Sequence, residues 1–223
     1  MTTGSVLAQE VGGISSPPIS RCAGKIGLDA READAAFGII MVNGAPWVTI
    51  ERTEEKVGTQ AISTTVTGTG AQRRRNGTMV PFRFTCLLDA KGEVLMVHLD
   101  RLLPTHGDQL PPALLVSGTA GYGQKVAPPR GAELRVELLD VAKSPTGEVL
   151  AEQVVRSGWQ VPIPFELRLP TDMKLNNRKL VLTAKLVLLH RVLLQLKEPR
   201  AIAVDQVRNP IDLLLEPVEV PKR

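Results

Sequence analysis

Aromatic side chains are scarce in this chain of 223 residues, which holds four Phe, two Trp and one Tyr. A platform on which successive bases of single-stranded nucleic acid stack needs more rings than that, so binders of that class are excluded. Any core must be filled mainly by Leu, Val, Ile and Ala. Histidine is limited to His98, His106 and His190, and cysteine to Cys22 and Cys86. Four zinc ligands cannot be assembled from these at any familiar spacing, and Cys-x-x-Cys is absent. No apolar run reaches the roughly 18 residues that a bilayer span requires. The Gly-x-Ser-x-Gly, His-Glu-x-x-His and P-loop patterns are also missing, and Gly68-Thr69-Gly70 lacks both a completing glycine and a following helix.

The remaining candidates for chemistry are isolated. His98 falls in an expected strand, His106 in an expected linker and His190 in an expected hairpin turn, none of them beside a nucleophile. Glu137 and Asp140 share a strand at positions read as exposed, where two carboxylates are ordinary solvated side chains. Cys86 lies among Phe-bearing positions, and apolar surroundings raise a thiol pKa and make it inert. The reading is therefore of a protein that is not an enzyme, with no catalytic residue, metal or cofactor assigned.

The formal net charge is +4 and the isoelectric point near 9.3, yet the basic residues are scattered except at Arg73, Arg74 and Arg75. That triplet lies in a turn-like stretch between Gly70 and Gly77. It reads as a solvated hairpin tip, because duplex binding needs a wider basic stripe. No nucleic-acid partner is expected.

What the chain does have is punctuation. Nineteen glycines and 17 prolines interrupt it too often for long helices and favour short strands joined by turns. Residues 1–20 read as a flexible leader or signal remnant, since Val6-Leu7-Ala8 before Gln9-Glu10 has the small-residue look of a signal-peptide end. Ile19-Ser20-Arg21-Cys22 is loosely like a lipobox, but Arg21 beside the cysteine and Pro17-Pro18 before it argue against lipid attachment at Cys22. Export would make a Cys22 to Cys86 disulfide the expected state. Closing a loop of about 65 residues, it would stabilise the fold by about 4 kcal/mol on the loop-entropy model. The alternative is two buried thiols.

Asp29, with Glu32 three residues on, is a candidate N-cap, and Ala33, Ala36, Phe37 and Ile40 recur at helical spacing, so a helix is expected over about 30–41. Strand compositions follow at 47–52, 61–68, 80–88 and 93–99, with Val80, Phe82, Phe84 and Cys86 on one face of the third. Residues 21–103 are thus expected to form a small α+β domain, one helix on an antiparallel sheet. The Pro-rich stretch at 104–113 reads as a linker. From 114 to 217 about seven strands follow at short spacing, which suggests a β-sandwich, and 218–223 form a tail. Leu180 to Leu196 reads as a hairpin turning near His190-Arg191, because Val181, Thr183, Val187 and Val192 favour strand. The fold class expected is mainly β.

Four stretches of the second half carry a resemblance: Val116-Ser117-Gly118-Thr119; Pro128-Pro129-Arg130-Gly131 running into Glu133 to Val141; Val149-Leu150-Ala151-Glu152-Gln153; and Gln160 to Leu167. In this order they resemble the YbaY/YscW family, small bacterial lipoproteins that include type III secretion pilotins. The resemblance covers residues 114–217, and Val161-Pro162-Ile163-Pro164-Phe165-Glu166-Leu167 is its most specific part. Pro162 and Pro164 cannot donate to a ladder, which suits an edge strand with Val161, Ile163 and Phe165 facing the core. The resemblance implies a β-sandwich in the periplasm or at the inner face of the outer membrane, and a partner that is another envelope protein. Pilotins escort a secretin subunit by binding its C-terminal segment. The chain departs from the family in its cysteine-containing N-terminal unit, where a lipidated cysteine and short tether are expected, and in a hairpin near His190 without an Asp-Gly turn. The competing readings are an inhibitor-like or carbohydrate-binding module and, behind these, an envelope hydrolase.

Overall fold

The structure, a computed structural model, describes residues 17–33, 37–102, 109–123, 127–144, 146–157 and 161–218. It opens with α1 (Pro17–Ala33), followed by β1 (Phe37–Asn43), β2 (Val48–Val57), β3 (Gln60–Arg74), β4 (Met79–Leu88) and β5 (Val94–Arg101). The second half contains β6 (Ala113–Tyr122), β7 (Glu133–Asp140), β8 (Glu148–Ser157), β9 (Ile163–Pro170), β10 (Leu180–Leu188), β11 (Arg191–Gln195), β12 (Arg200–Ile202) and β13 (Ile211–Pro217). The chain is mainly β, with a helix and an antiparallel sheet preceding a sandwich of strands.

The expected helix is one element too late. Residues 17–33 are helical because Ile19, Cys22, Ala23 and Ile26 recur at three- and four-residue spacing and are all buried. Two prolines start it without harm, since a first-turn N–H has no intrahelical acceptor to lose. The last four residues of the expected leader are therefore helical, and residues 1–16 lie outside the described residues. Asp29 is no N-cap; it sits four residues after Lys25 within α1 and pairs with it. Phe37 to Asn43, expected as the helix's second half, is a strand instead, and Ala36 lies outside the described residues. Ile39, Ile40, Met41 and Val42 are all buried, so β1 is apolar on both faces. A short run buried on both faces has no period, and helix and central strand then look alike in sequence.

The principal sheet runs β5-β4-β3-β1-β8-β7-β10-β11 and is antiparallel throughout. The long β3 holds β2 along its first part and β1 along its last, and β12 adds to β10. At the far end β11 pairs with β13 through only Leu194↔Pro217 and Gln195↔Glu216. There the chain turns into a second layer, β13 parallel to β6 and β6 antiparallel to β9. β9 folds back over β8 and β7 and closes the sandwich. Its alternating Ile163, Phe165, Leu167 and Leu169 are buried. Opposite Phe165 stands Gly118, where a Cβ would run into the ring and into the Ile211 carbonyl, so the close parallel approach of β13 to β6 requires glycine.

Two cores result. The larger lies between the layers and takes Leu134, Val136, Leu138, Phe165, Leu167, Leu182 and Leu186, together with Ile39 and Met41 of β1. The smaller lies under α1 and takes Ile19, Cys22, Ile26, Phe82, Phe84 and Cys86, together with Ile40 and Val42 of β1 and Val154 of β8. Strand β1 thus contributes to both cores and pairs with β8 by Ile40↔Arg156, Met41↔Val155 and Val42↔Val154. Of the expected linker, residues 104–108 lie outside the described residues, and β6 begins at its last member, Ala113.

Cys22 and Cys86 are joined in a disulfide across a sequence separation of 64 residues, with both side chains fully buried. It ties α1 to the C-terminal part of β4. Replacing both, as Cys22→Ala with Cys86→Ala, is expected to lower the unfolding free energy by about 4 kcal/mol on the loop-entropy model. Urea denaturation checks this, with the midpoint falling.

Candidate binding site

His98 projects from β5 and pairs with its neighbour Asp100, at 3.0 Å, with both side chains exposed. His190 occupies the β10–β11 turn, and His106 lies outside the described residues. Among the described residues no group of three or more His, Cys, Asp or Glu side chains is placed to hold a metal. Arg73 and Arg74 end β3, and Arg75 stands in the turn to β4.

Glu137 and Asp140, expected to be exposed, are buried at 5% and 7% exposure. All eight residues of β7 are buried, because the strand is flanked on both sides and its charged face has neighbours of its own. Asp140 accepts from the backbone N–H groups of Ala142 (3.0 Å) and Lys179 (3.1 Å) and from Arg178 (3.1 Å). These bonds, the Ala142 N–H foremost, hold its carboxyl below the usual range. Glu137 is pushed the other way, up to about 7, first by burial and then by Glu152 beside it on β8. Thr183, which donates to it at 3.1 Å, together with Lys185 and Arg135, offsets only part of this. Neither carboxylate lines the two cavities described below.

A binding protein needs either a free strand edge or an apolar recess. The outer edge of the second layer is closed off. Along β9, Pro164 has no N–H, and the Glu166 N–H donates to Gln153 Oε1 at 2.8 Å. The Glu166 carbonyl accepts from Gln153 Nε2 at 2.7 Å, and the Arg168 carbonyl accepts from the Trp47 indole at 2.7 Å. A further strand has little to pair with there. The recess does exist. Where the sheet turns over, a cavity of about 470 Å³ is lined by Tyr122, Leu186, Leu193, Leu194, Leu215 and Pro217, among others. It lies beside a short join, in which two residue pairs and a long backbone bond from the Val218 N–H to the Leu193 carbonyl, at 3.4 Å, link β11 to β13. Burial pushes the Tyr122 phenol up from its ordinary value, in keeping with a largely apolar wall.

The cavity belongs wholly to the second half of the chain, and so does the similarity to known proteins. Residues 111–215 match the family YscW, type III secretion system lipoprotein chaperones. The YscW-like segment thus spans β6 to most of β13, just under half of the chain. Among solved structures, an alternative pilotin from the type II secretion system of Vibrio cholerae is similar at 19% identity and a TM-score of 0.43, over 49% of this chain and all of that one. No curated protein matches.

Sequence reasoning anticipated the Ile163 and Phe165 face of the YscW-like segment but not its polar interior. Gln153 occupies an inward position of β8 at 2% exposure. An amide in that place is the signal that could have marked it, since a buried polar group needs partners. The other charges of β7 are buried with partners as well, Glu133 being paired with Arg135 and Arg156 at 4% exposure.

The Glu137 carboxyl gives a test. Its folded-state pKa lies above the ordinary 4.5, so the folded protein holds this proton more tightly than the unfolded chain does, and stability falls as pH rises between about 4.5 and 7. Relative to Glu137→Gln, the parent protein is expected to lose about 3 kcal/mol of unfolding free energy between roughly pH 4 and pH 8. Urea titrations across that range measure it, and parallel pH profiles for the two proteins would contradict it.

Proposed function

We propose that this is a non-enzymatic protein of the bacterial envelope whose YscW-like sandwich binds another envelope protein, the C-terminal segment of a secretin or a comparable secretion component. The observation that carries the reading is the match of residues 111–215 to a family of secretion lipoprotein chaperones. The apolar cavity at the β11–β13 turn supports it, because it lies in that segment and is of a size that takes a few large side chains. The closed edge of β9 favours recognition by side chains in a recess over strand addition. A location in the periplasm or at the inner face of the outer membrane agrees with a buried disulfide, which persists in oxidising compartments. The reading keeps a small α+β unit over 21–103, a linker at 104–113 and the sandwich over 114–217, although Ile39 and Met41 of the first unit and Val154 of the second each enter the other's core.

The test is titration of the full chain with fluorescent peptides from the C-terminal segments of secretins of the same cell. Leu193→Asp places a charge in the apolar wall and is expected to weaken binding about tenfold or more. Leu214→Asp, at a 61% exposed position on the outward side of β13, is expected to leave it unchanged. Equal affinity of parent and Leu193→Asp protein, with both melting alike, would remove the cavity from the account.

A further inference from the structure

A second cavity, of about 340 Å³, lies on the other side of the β10–β11 hairpin, and its chemistry is different. Four arginines line it, Arg21 from α1, Arg130 from the approach to β7, Arg135 from β7 and Arg156 from β8, against a single carboxylate, Glu133. Glu133 is shared: Oε1 accepts from Arg135 Nε at 2.8 Å, and Oε2 from Arg156 Nη2 at 3.0 Å. One carboxylate cannot neutralise both guanidinium groups. Arg130 is exposed and has no partner among the described residues, while Arg21 turns its Nη1 to the Lys91 carbonyl at 2.9 Å and to Glu93 at 3.4 Å, outside the recess. The first turn of α1, which brings Ser20 and Arg21 to the cavity, holds no acidic residue.

Two buried polar atoms of the lining point to a missing acceptor. Ser20 is 5% exposed and its Oγ has no hydrogen-bond partner among the described residues, and Arg156 Nε is likewise buried and without a partner among them. Buried donors left without acceptors are costly, at roughly 1–3 kcal/mol each, and are rare unless something else satisfies them. Both atoms are closed off as the side chains stand, so an oxyanion would accept from them only once the two side chains turn toward the recess. Donors that converge from three elements suit a tetrahedral group better than a planar carboxylate, which one guanidinium fork satisfies.

The rim of the cavity is apolar. Val187, Leu188 and Leu189 form one wall, and Leu189 is 83% exposed at the very tip of the hairpin. The turn residues Leu189 and His190 both take positive φ, 47° and 66°, where Gly or Asn is usual, and Arg191 and Val192 beside them are exposed. An exposed aliphatic tip next to a cationic recess matches an amphiphile, a phosphate attached to a hydrocarbon body.

We propose that this recess binds the phosphate headgroup of an anionic membrane lipid, with Arg130, Arg156 and Ser20 on the phosphate and Leu189 against the acyl region. The assignment does not depend on what the other cavity binds. It is tested by flotation of the full chain with phosphatidylcholine vesicles, with and without about one third phosphatidylglycerol, and by titration with inorganic phosphate. Binding is expected only to the anionic vesicles, weakening as salt rises. Arg130→Glu and Leu189→Asp change exposed side chains, so folding is retained, and each is expected to lower vesicle binding about tenfold or more. Ser20→Ala is expected to lower it less. Binding to both vesicle types alike, or undiminished binding by Arg130→Glu and Leu189→Asp, would overturn the proposal. Saturable binding of inorganic phosphate without vesicle binding would overturn the lipid as the source and leave a soluble phosphate in its place.

Discussion

The pairing of β1 with β8 is the contact on which the rest of the molecule depends. Through it the strands of the first half of the chain, ending at β1, join those of the second half, beginning at β8, in one sheet. The join is fixed by polar groups as well as by the apolar faces. Gln153 of β8 donates to Asn43 of β1 at 3.1 Å, and Asn43 donates to Thr69 of β3 at 3.0 Å. Backbone bonds from Gly44 to Glu152 (2.8 Å) and from Glu152 to Ala45 (3.0 Å) carry the ladder around the end of β1. The same Gln153 side chain holds the Glu166 backbone of β9 by two bonds. A single buried amide thus connects the N-terminal unit, the central sheet and the second layer. Because it is buried and fully used, its geometry leaves little latitude in register.

The consequences reach the two cavities. With β8 held between β1 and β7, Arg156 lies beneath α1, where Gly24 leaves it room; a Cβ there would come within 3.0 Å of Arg156 Nη2. The disulfide sets α1 against β4, and α1 in turn supplies one wall of the arginine-lined recess. The hairpin of β10 and β11 stands between the two openings. Leu186, Leu193 and Leu194 border the apolar cavity, and Val187 to His190 border the cationic one. A protein segment in one and a lipid headgroup in the other, as proposed, would meet the same hairpin from opposite sides.

Much of the architecture was readable from the chain because it rests on local chemistry. The alternation Val80, Phe82, Phe84, Cys86 placed the cysteine inward on β4, and the prolines of Val161 to Leu167 identified an edge strand. The β-branched residues of Leu180 to Leu196 distinguished a hairpin from an amphipathic helix. What escaped is what depends on distant partners. Phe37 to Asn43 has no period because both of its faces are covered, and the side that covers each is supplied by residues far along the chain. The buried charges of β7 resemble surface charges until Arg156, Thr183 and Lys179 are brought beside them. Neither cavity has a sequence signature, since each gathers single residues from several elements.

Native-state hydrogen exchange on the full chain tests the central claim most directly. If β1 is an integral member of the sheet, the amides of Ile40, Val42, Val154 and Arg156 should open only with the global unfolding that exposes β7 and β10, at one common free energy. Exchange of the β1 and β8 amides through a markedly cheaper opening, with β7 and β10 still protected, would contradict it and leave the two cores as separately stable bodies.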